Sequence, residues 1–394
     1  MRLDAAGWRR KQGVARILKA LGSREGLTRY VGGAVRDDLL GLAVSDIDFA
    51  TRLRPEEVIE RLEAAHIKAV PTGIEHGTIT AVADGQPAEV TTLRADVSTD
   101  GRRATVAFTD DWMADASRRD FTINALYADP EDGEIHDYFG GLDDLKARKV
   151  RFIGDPLVRI AEDHLRILRF FRFHARFGDG KPDAAAIEAC TMRANDLMAL
   201  SRERIADELL KLLALPDPTA TVALMIARGI FTPVIPEIDS AERLANLVAA
   251  EAAGGIEPDP LRRLSALLPP EPEKAESIAV RLKLSNKARK RIALAADRDL
   301  AANSRALAYW IGVEGAQDRL LLASRAEDAA ALGHWPVPRL PITGGQLIKR
   351  GVPQGPLVAR TLHAIERAWV GGEFPEGEDF DRIVSGAIAR SLGV

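Results

Sequence analysis

The sequence predicts an α+β fold in which a mixed N-terminal domain is followed by a long all-helical region. Residues 28 to about 150 alternate strand-like and helix-like patterns, whereas from residue 155 onward apolar residues recur almost only at helical spacing. The 394 residues are enough for about two to four domains. A hydrophobic content of 46% is enough to form ordinary globular cores.

The segments of the mixed region can be assigned in order. Strand-like patterns occur in TRYVGG, SDIDFATR, GTITAVA, AEVTTLR and EIHDYFG. Helical patterns occur in AVRDDLLG, PEEVIERLEAAH and DWMADASRRDFTINALY. Because only DGQP separates GTITAVA from AEVTTLR, these two strands are predicted to form a hairpin. The N-terminal residues are predicted to form an amphipathic first helix.

The second part of the chain is predicted to be a string of short helices. Proline- and glycine-rich breaks interrupt its helical pattern at residues 177–183, 215–218, 231–237, 256–260, 267–274 and 333–341. No repeat of fixed period indicates a solenoid.

Composition excludes several classes of protein. The single cysteine, Cys190, excludes a disulfide framework and a multi-cysteine zinc site, and it fits a reducing cytosol. No apolar run approaches the roughly 18–20 residues of a membrane span, and we expect a cytoplasmic protein. Because the net charge is −4, nucleic-acid binding would have to come from a local basic patch.

Three carboxylates are candidates for a metal site. Asp46 and Asp48 are two residues apart in a predicted strand, so both carboxylates project from one face, where they can bind Mg²⁺ together with substrate phosphates. The spacing alone is not specific, because it also occurs at Asp297 and Asp299. Glu89 lies on a strand that could be adjacent and would supply a third carboxylate; a surface hairpin residue is the alternative.

The residues upstream of the aspartate pair predict a phosphate site. Gly32 and Gly33 follow a strand and open a helix, where backbone N–H groups can approach a phosphate closely. Arg36 lies one turn into that helix and can bind the same phosphates. An ordinary strand–helix turn is the alternative for the glycines alone, but with the aspartate pair ten residues on they predict a site for a nucleoside triphosphate and a metal ion.

Two further stretches are rich in arginine. Arg118 and Arg119 point about 100° apart on a predicted helix, so one of them at most would reach a given phosphate; a surface salt bridge is the alternative. Residues 148–177 hold eight Lys or Arg against three acidic residues and form the basic patch. Within 161–177 polar residues recur every three positions, and the excess of arginine favours contact with anions or bases over a salt-bridged helix surface.

Five motifs follow one another between residues 28 and 178: YVGGAVRDDLLG with SDIDFA, EVTTLR, RRDFTINAL, DYFGGLDDLKARKVRFIG and EDHLRILRFFRF. Together they resemble the class II tRNA nucleotidyltransferases of the polymerase-β-like superfamily, which include CCA-adding enzymes and bacterial poly(A) polymerases. The resemblance continues more weakly in SRERIADELLKLL (201–213) and ITGGQLIKRGVPQGP (342–356).

The resemblance implies a polymerase-β-like nucleotidyltransferase head followed by an all-helical neck, body and tail. The predicted bounds are 1–154 for the head, 155–215 for the neck with its nucleotide-selecting helix, 216–335 for the body and 336–394 for a tRNA-binding tail. The implied cofactor is Mg²⁺, and the implied partners are tRNA, CTP and ATP.

The resemblance also implies a role for each candidate residue. The metal ligands are Asp46 and Asp48, and Glu89 stands where a further catalytic carboxylate is expected. The triphosphate contacts are Gly33, Arg36 and Arg119. The residues that match the nucleotide-selecting helix are Asp163, Arg166, Arg169 and Arg172.

A carboxylate beside a guanidinium can select C and A without a nucleic-acid template. Cytosine and adenine both present an amino donor next to a ring-nitrogen acceptor, which Asp163 and Arg166 complement. Uracil and guanine place a carbonyl where the amino group would be, and each mispaired buried polar group costs about 1–3 kcal/mol. In the implied reaction, the tRNA 3′-hydroxyl attacks the α-phosphorus of CTP or ATP under two-metal catalysis and pyrophosphate leaves.

Other activities share such a head. Complete CCA addition is favoured because residues 95–112 resemble the flexible loop of CCA-adding enzymes, and because the R-R-F-x-L-x-H pattern of bacterial poly(A) polymerases does not occur in the sequence. CC-only or A-only addition and poly(A) tailing are the alternatives. A non-catalytic RNA-binding module is the alternative from another class. The oligomeric state is left open.

Overall fold

The computed structural model describes residues 2–3, 7–99, 104–300 and 303–393. The chain divides into two compact units. Unit 1 comprises Met1–Glu208 and Ala227–Val234, and unit 2 comprises Leu209–Ile226 and Ile235–Val394.

Unit 1 contains the strands of the described chain: β1 Thr28–Val31, β2 Asp48–Thr51, β3 Lys68–Gly73, β4 Thr78–Ala83, β5 Gln86–Thr92, β6 Arg94–Thr99, β7 Ala104–Phe108, β8 Leu126–Ala128 and β9 Ile135–Asp137. Seven of them form one sheet in the order β3-β4-β5-β2-β1-β8-β9, and β6 and β7 form a separate hairpin. The β2–β5 pair is parallel, whereas the other pairs are antiparallel.

The hairpin predicted from DGQP is present as β4 and β5. Ala83 pairs with Gln86, so the loop between the strands consists of Asp84 and Gly85. Both loop residues have left-handed backbone, with φ of 51° and 73°, as the favoured two-residue turns require.

In unit 1, helices alternate with the strands in sequence and continue after β9. They are α1 Gln12–Ala20, α2 Gly33–Leu39, α3 Pro55–Ala64, α4 Trp112–Ser117, α5 Gly141–Lys146, α6 Pro156–Glu162, α7 Arg166–Phe177 and α8 Ala184–Met192. The next helix, α9 Arg202–Leu213, begins in unit 1 and ends in unit 2.

The remaining helices are α10 Thr219–Ala227, α11 Glu242–Gly254, α12 Pro260–Leu267, α13 Pro272–Arg281, α14 Asn286–Ala296, α15 Ser304–Ile311, α16 Val313–Leu322, α17 Ala326–Leu332, α18 Gly344–Lys349, α19 Pro356–Gly371 and α20 Gly377–Leu392. Each predicted break overlaps the connection between two consecutive helices, although the break at 267–274 also includes the first residues of α13. Within the described residues no strand follows β9, so the predicted α+β fold class is confirmed.

Unit 2 contains a buried ion-pair network. Arg263 is only 1% exposed. Its Nε donates to Oε2 of Glu251 at 2.8 Å, and its Nη atoms donate to the carbonyl oxygens of Leu213 at 2.8 Å and Pro216 at 2.9 Å. Arg263 therefore satisfies carbonyl groups that lie at and just beyond the end of α9.

The predicted helix DWMADASRRDFTINALY is wrong over its second half. α4 ends at Ser117, Thr122–Asn124 form a 3₁₀ turn, and β8 follows. Phe121 has extended backbone, because its ring is buried against the rings of Phe152 and Phe173, at centroid distances of 4.9 and 5.2 Å. These packing contacts override the helical pattern, and Arg119 consequently lies after the helix rather than on it.

The predicted continuous helix over 161–177 is also wrong. α6 ends at Glu162, and Asp163 has extended backbone with φ −151° and ψ 106°. The Asp163 carboxylate accepts the backbone N–H of Leu165 at 3.1 Å, and the Asp163 carbonyl accepts that of Arg166 at 3.0 Å. An aspartate that caps the next turn in this way ends one helix and starts another, so Asp163 precedes α7.

Part of the strand prediction is also wrong. Asp46 lies outside β2, which begins at Asp48, so the prediction that both aspartates are strand residues is wrong for Asp46. The sequence patterns do not predict β3, β6 or β7. Apart from Arg94, β6 and β7 lie in the segment 95–112 that resembles a flexible loop, of which residues 100–103 lie outside the described residues.

Candidate active site

The parallel pair β2 and β5 brings two of the candidate carboxylates, Asp48 and Glu89, together, and Asp46 lies two residues before β2. Asp48 is in register with Glu89, and the backbone N–H of Glu89 donates to the carbonyl of Ile47 at 3.0 Å. Residues in register on neighbouring strands project from the same face of the sheet. Asp46 is exposed and accepts a hydrogen bond from the Ser45 hydroxyl at 2.9 Å.

Negative charge is concentrated at Asp48. Burial and the Glu89 carboxylate raise the pKa of Asp48 to about 6; Asp46 adds to this effect, and Arg119 and Arg36 oppose it. A raised pKa means that the ionised form lacks sufficient positive charge nearby. A cation bound at these carboxylates would supply that charge.

Two adjoining clefts share Asp46 and Asp48. The smaller, of about 400 Å³, is lined by Ser45, Asp46, Ile47, Asp48, Thr80, Pro87, Ala88 and Glu89. The larger, of about 630 Å³, is lined by Gly32, Gly33, Arg36, Asp46, Asp48, Arg118, Arg119, Asp120, Asn124, Asp163, Arg166, Arg169, Arg172 and Phe173. Nine of the ten candidate site residues therefore line the larger cleft, and Glu89 lines the smaller one.

The strand–helix turn places Arg36 in the larger cleft. Gly32 has a φ of 70°, which favours glycine, and a Cβ added there would lie 3.5 Å from Nη1 of Arg119. Arg36 is 5% exposed, donates to Oδ1 of Asp37 at 2.8 Å and to Oδ1 of Asn124, and stacks on the Phe177 ring at 4.1 Å. The guanidinium is thus fixed before any ligand arrives.

Arg119 is held by the buried carboxylate of Asp115. Asp115 accepts Nη2 of Arg119 at 3.1 Å and the hydroxyl of Tyr127 at 2.6 Å. It also accepts Nη2 of Arg118 at 2.8 Å and the backbone N–H of Arg94, the first residue of β6, at 3.1 Å. Burial alone would raise the pKa of Asp115, but the two guanidinium groups outweigh it and hold that pKa well below its usual range.

Two arginines of α7 are fixed in the same manner. Arg169 donates to Oδ2 of Asp120 from Nε at 2.9 Å and from Nη2 at 2.5 Å. Arg172 donates from Nε to Oε2 of Glu208 at 2.6 Å and lies 4.6 Å from the centre of the Phe173 ring. Because Asp120 and Arg169 are 49 residues apart, no local pattern in the sequence indicates this contact.

Asp163 and Arg166 are not each other's side-chain partners. Arg166 donates to the Glu162 carboxylate, to the carbonyl of Arg159 at 2.9 Å and to that of Arg118 at 3.2 Å. Asp163 is instead bound by the guanidinium of Arg204. Arg204 is not among the site residues predicted from the sequence, although it lies in the segment 201–213, to which the family resemblance extends.

The carboxylates fit a hard cation only in part. Within the described residues, no group of three or more His, Cys, Asp and Glu side chains is placed to hold a metal ion. Asp46 and Asp48 therefore offer two ligands at most, with Glu89 beside them. Two carboxylates completed by substrate phosphates and water are a common arrangement for Mg²⁺.

Two family models match this chain. The one described as "Poly A polymerase head domain" matches residues 28–151, and the one described as "Probable RNA and SrmB- binding site of polymerase A" matches residues 181–242. The mouse protein named "CCA tRNA nucleotidyltransferase 1, mitochondrial" is 35% identical over 362 residues, which cover 86% of this chain and 82% of the mouse protein. This chain belongs to the tRNA nucleotidyltransferase and poly(A) polymerase family.

Similarity to other members of the tRNA nucleotidyltransferase and poly(A) polymerase family supports the same assignment. The protein of Levilactobacillus brevis named "CCA-adding enzyme" is 32% identical over 366 residues, covering 88% of this chain and 90% of its own length. The crystal structure of the Bacillus stearothermophilus CCA-adding enzyme in complex with CTP superposes with a TM-score of 0.71 at 25% identity, over 98% of this chain and 100% of that one. The predicted family, fold and enzyme class, a nucleotidyltransferase, are confirmed.

Among the described residues, no helix combines the length and the apolar character that a membrane span requires.

Proposed function

We propose that this enzyme adds C, C and A to the 3′ end of tRNA from CTP and ATP, without a nucleic-acid template. The observation that carries the proposal is that two aspartates, a glycine turn and a set of prepositioned arginines line one cleft. The names of the mouse and Levilactobacillus relatives support the choice of CCA addition within the family.

Asp46 and Asp48 would hold Mg²⁺, with triphosphate oxygens completing the coordination in a two-metal scheme. When bound, the metal lowers the pKa of the attacking hydroxyl and neutralises charge on the leaving pyrophosphate. The donor set supports this assignment, because the two carboxylates line a cleft whose other lining residues include Arg36 and Arg119. Glu89 adds negative charge beside Asp48 and so favours cation binding.

Arg36 and Arg119 would bind the triphosphate. Each guanidinium is already oriented by a buried carboxylate, Asp37 or Asp115. Groups that are fixed before the reaction need no reorganisation as charge develops, so they stabilise the transition state more than mobile surface arginines would. The bond from the 3′-oxygen to the α-phosphorus forms as the bond to the β-phosphate oxygen breaks, and the hydroxyl proton passes to solvent.

Asp163 and Arg166 would select the base. Three N–H groups of Arg166 are used by its contacts with Glu162 and two carbonyls. The Nε–H and the second hydrogen of Nη2 are left for a base, since a guanidinium carries more donors than these contacts use. Arg169 and Arg172 line the same cleft and would support the base or its sugar.

The helical part would bind the tRNA acceptor stem and elbow through its backbone and shape, as duplex RNA is usually recognised. The match of residues 181–242 to an RNA-binding family model supports this part of the proposal. We retain the division into head (1–154), neck (155–215), body (216–335) and tail (336–394) as part of it. A cytoplasmic location is also retained, because Cys190 is buried and unpaired, as in proteins of reducing compartments.

Primer extension tests the proposal. The full chain is given Mg²⁺ with CTP, ATP or both, and three tRNA transcripts that lack all three terminal nucleotides, lack only the terminal A, or are complete. We expect addition of two C and one A, of one A, and of nothing, respectively. Long A tracts would replace the proposal with poly(A) synthesis, and extension of only one transcript would replace it with partial addition.

A pair of variants tests the assignment of the site. Asp46→Ala should reduce incorporation at least about a hundredfold, because it removes a metal ligand. Asp143→Ala is the matched control, since Asp143 is an exposed head residue paired only with Lys146 on its own helix. If Asp46→Ala incorporated nucleotides at the rate of the control, the metal assignment would be wrong. If the unmodified chain extended no transcript, a non-catalytic RNA-binding role would replace the proposed one.

A further inference from the structure

Asp163 has an ion-pair partner from outside its own helical segment. Nη2 of Arg204 donates to Oδ1 of Asp163 at 3.1 Å and to Oδ2 at 2.9 Å. Arg204 lies in the first turn of α9, and 41 residues separate it from Asp163. The pair is half-exposed, with side-chain exposures of 48% for Arg204 and 34% for Asp163. Arg204 therefore reaches a residue that lines the larger cleft.

The Asp163 carboxylate is fixed from two sides. Leu165 donates its backbone N–H to Oδ1 at 3.1 Å, and Arg204 contacts both oxygens. Since an ionised carboxylate offers about four acceptor sites, these three contacts leave one for a ligand. Asp163 has extended backbone between α6 and α7, and the contacts of Leu165 and Arg204 restrict rotation of its carboxylate.

Arg166 cannot perform this function in the arrangement observed. Its guanidinium is bound by Glu162 and by two backbone carbonyls. The cation that touches the Asp163 carboxylate is that of Arg204. The orientation of the predicted base acceptor thus depends on a residue of the segment 201–213, to which the proposed function gives no part in base selection.

We propose that Arg204 is a positioning residue that fixes Asp163 for the amino group of cytosine or adenine and thereby sharpens discrimination against uracil and guanine. This inference rests on the proposed function. If the Asp163 carboxylate is fixed, it stays opposite the carbonyl oxygen of uracil or guanine and repels it. A carboxylate free to rotate would turn away, so the wrong base would meet less repulsion and the correct base would lose part of its hydrogen bond.

Because the Arg204–Asp163 ion pair is half-exposed, a positioning role of Arg204 can be distinguished from a structural one. An exposed ion pair contributes little to folding, so removal of Arg204 should leave the midpoint of thermal unfolding close to that of the unmodified enzyme. A structural defect would lower incorporation of every nucleotide by the same factor. A positioning defect changes the ratio between nucleotides.

The test measures kcat/KM for CTP and for UTP on tRNA that lacks the terminal three nucleotides. The enzymes are the unmodified chain, Arg204→Ala, Arg204→Lys and Arg24→Ala. Arg24 is the matched control because it forms an exposed ion pair with Glu131 and lines neither cleft of the site. We expect the CTP/UTP ratio to fall about tenfold in Arg204→Ala, to recover partly in Arg204→Lys and to stay unchanged in Arg24→Ala.

A double-mutant cycle with Asp163→Asn provides a second readout. If Arg204 acts through Asp163, then Arg204→Ala should reduce the ratio no further once Asp163→Asn is present. An unchanged ratio in Arg204→Ala, or equal losses for both nucleotides, would overturn the inference while leaving CCA addition intact. Failure of the unmodified enzyme to incorporate C would instead overturn the proposed function.

Discussion

Asp48 and Glu89 are in register on the only parallel strand pair of the described sheet, so their carboxylates share one face although a hairpin and a helix separate them in sequence. The pKa of Asp48 is raised to about 6 by its burial and by Glu89. This relationship puts Glu89 close enough to influence a metal ion bound at Asp48, whether or not it is a ligand.

Glu89→Gln should weaken metal use. Loss of the charge beside Asp48 lowers the local attraction for Mg²⁺, and residues that support metal ligands typically change affinity or activity about 10–100-fold when replaced. A titration of the addition rate with Mg²⁺ measures the effect, which should be a shift of the half-maximal concentration to higher values. Glu60→Gln, on the exposed side of α3, is the control, and an identical titration curve for both variants would make Glu89 a simple hairpin residue.

Asp115→Asn should impair both stability and nucleotide binding. Asp115 is 1% exposed and neutralises Arg118 and Arg119. Breaking a buried ion pair by removal of one partner costs about 3–5 kcal/mol, and Arg119 would lose its fixed orientation. Urea denaturation should show a lower midpoint, and kinetics on the folded fraction should show a raised KM for ATP. Asp143→Asn should show neither change, since Asp143 is exposed.

Alanine substitutions at Gly32 and Gly33 form a matched pair of variants. Gly32→Ala should destabilise the protein by about 1–3 kcal/mol, because a φ of 70° with a ψ of −123° is strained for any residue that has a Cβ. Gly33→Ala should fold normally, since the added Cβ would meet only Nη2 of Arg36 at 3.6 Å. If a phosphate approaches this turn, Gly33→Ala should still raise the KM for CTP. A normal KM in a stable Gly33→Ala enzyme would place the triphosphate elsewhere.

Arg263→Met should destabilise unit 2. The change removes a buried partner of Glu251 and leaves the carbonyls of Leu213 and Pro216 without their donor, at a cost of about 3–5 kcal/mol. Arg281→Met removes a more exposed ion pair with Glu237 and should cost about 1 kcal/mol at most. Circular dichroism during urea unfolding measures both, and equal midpoints would show that the buried network contributes nothing.

Sequence patterns predict best where local physics decides the structure. The turn at Asp84 and Gly85 follows from backbone preferences of two residues, and the proline-rich breaks follow from the missing N–H of proline. Most of the residues that line the larger cleft could be selected from the sequence because their motifs are short and contiguous. Arg204 and Glu208 could not be assigned in this way, because their partners are distant in the chain.

The wrong predictions have the same origin. The pattern over residues 161–177 is helical, but Asp163 satisfies a backbone N–H of the next turn and interrupts the helix. Phe121 fits a helical pattern as well, yet its ring is needed in the core beside Phe152. In both cases a contact that the pattern does not contain determines the backbone.

Four arginines that line the larger cleft each contact a carboxylate: Arg36 contacts Asp37, Arg166 contacts Glu162, Arg169 contacts Asp120 and Arg172 contacts Glu208. This pairing constrains how related sequences can diverge. A descendant that loses only the acid keeps an uncompensated cation in a confined space, whereas one that loses both members keeps its charge balance. The acidic residue and its arginine partner should therefore be replaced together over evolutionary time, so the cleft changes in steps of two residues rather than one.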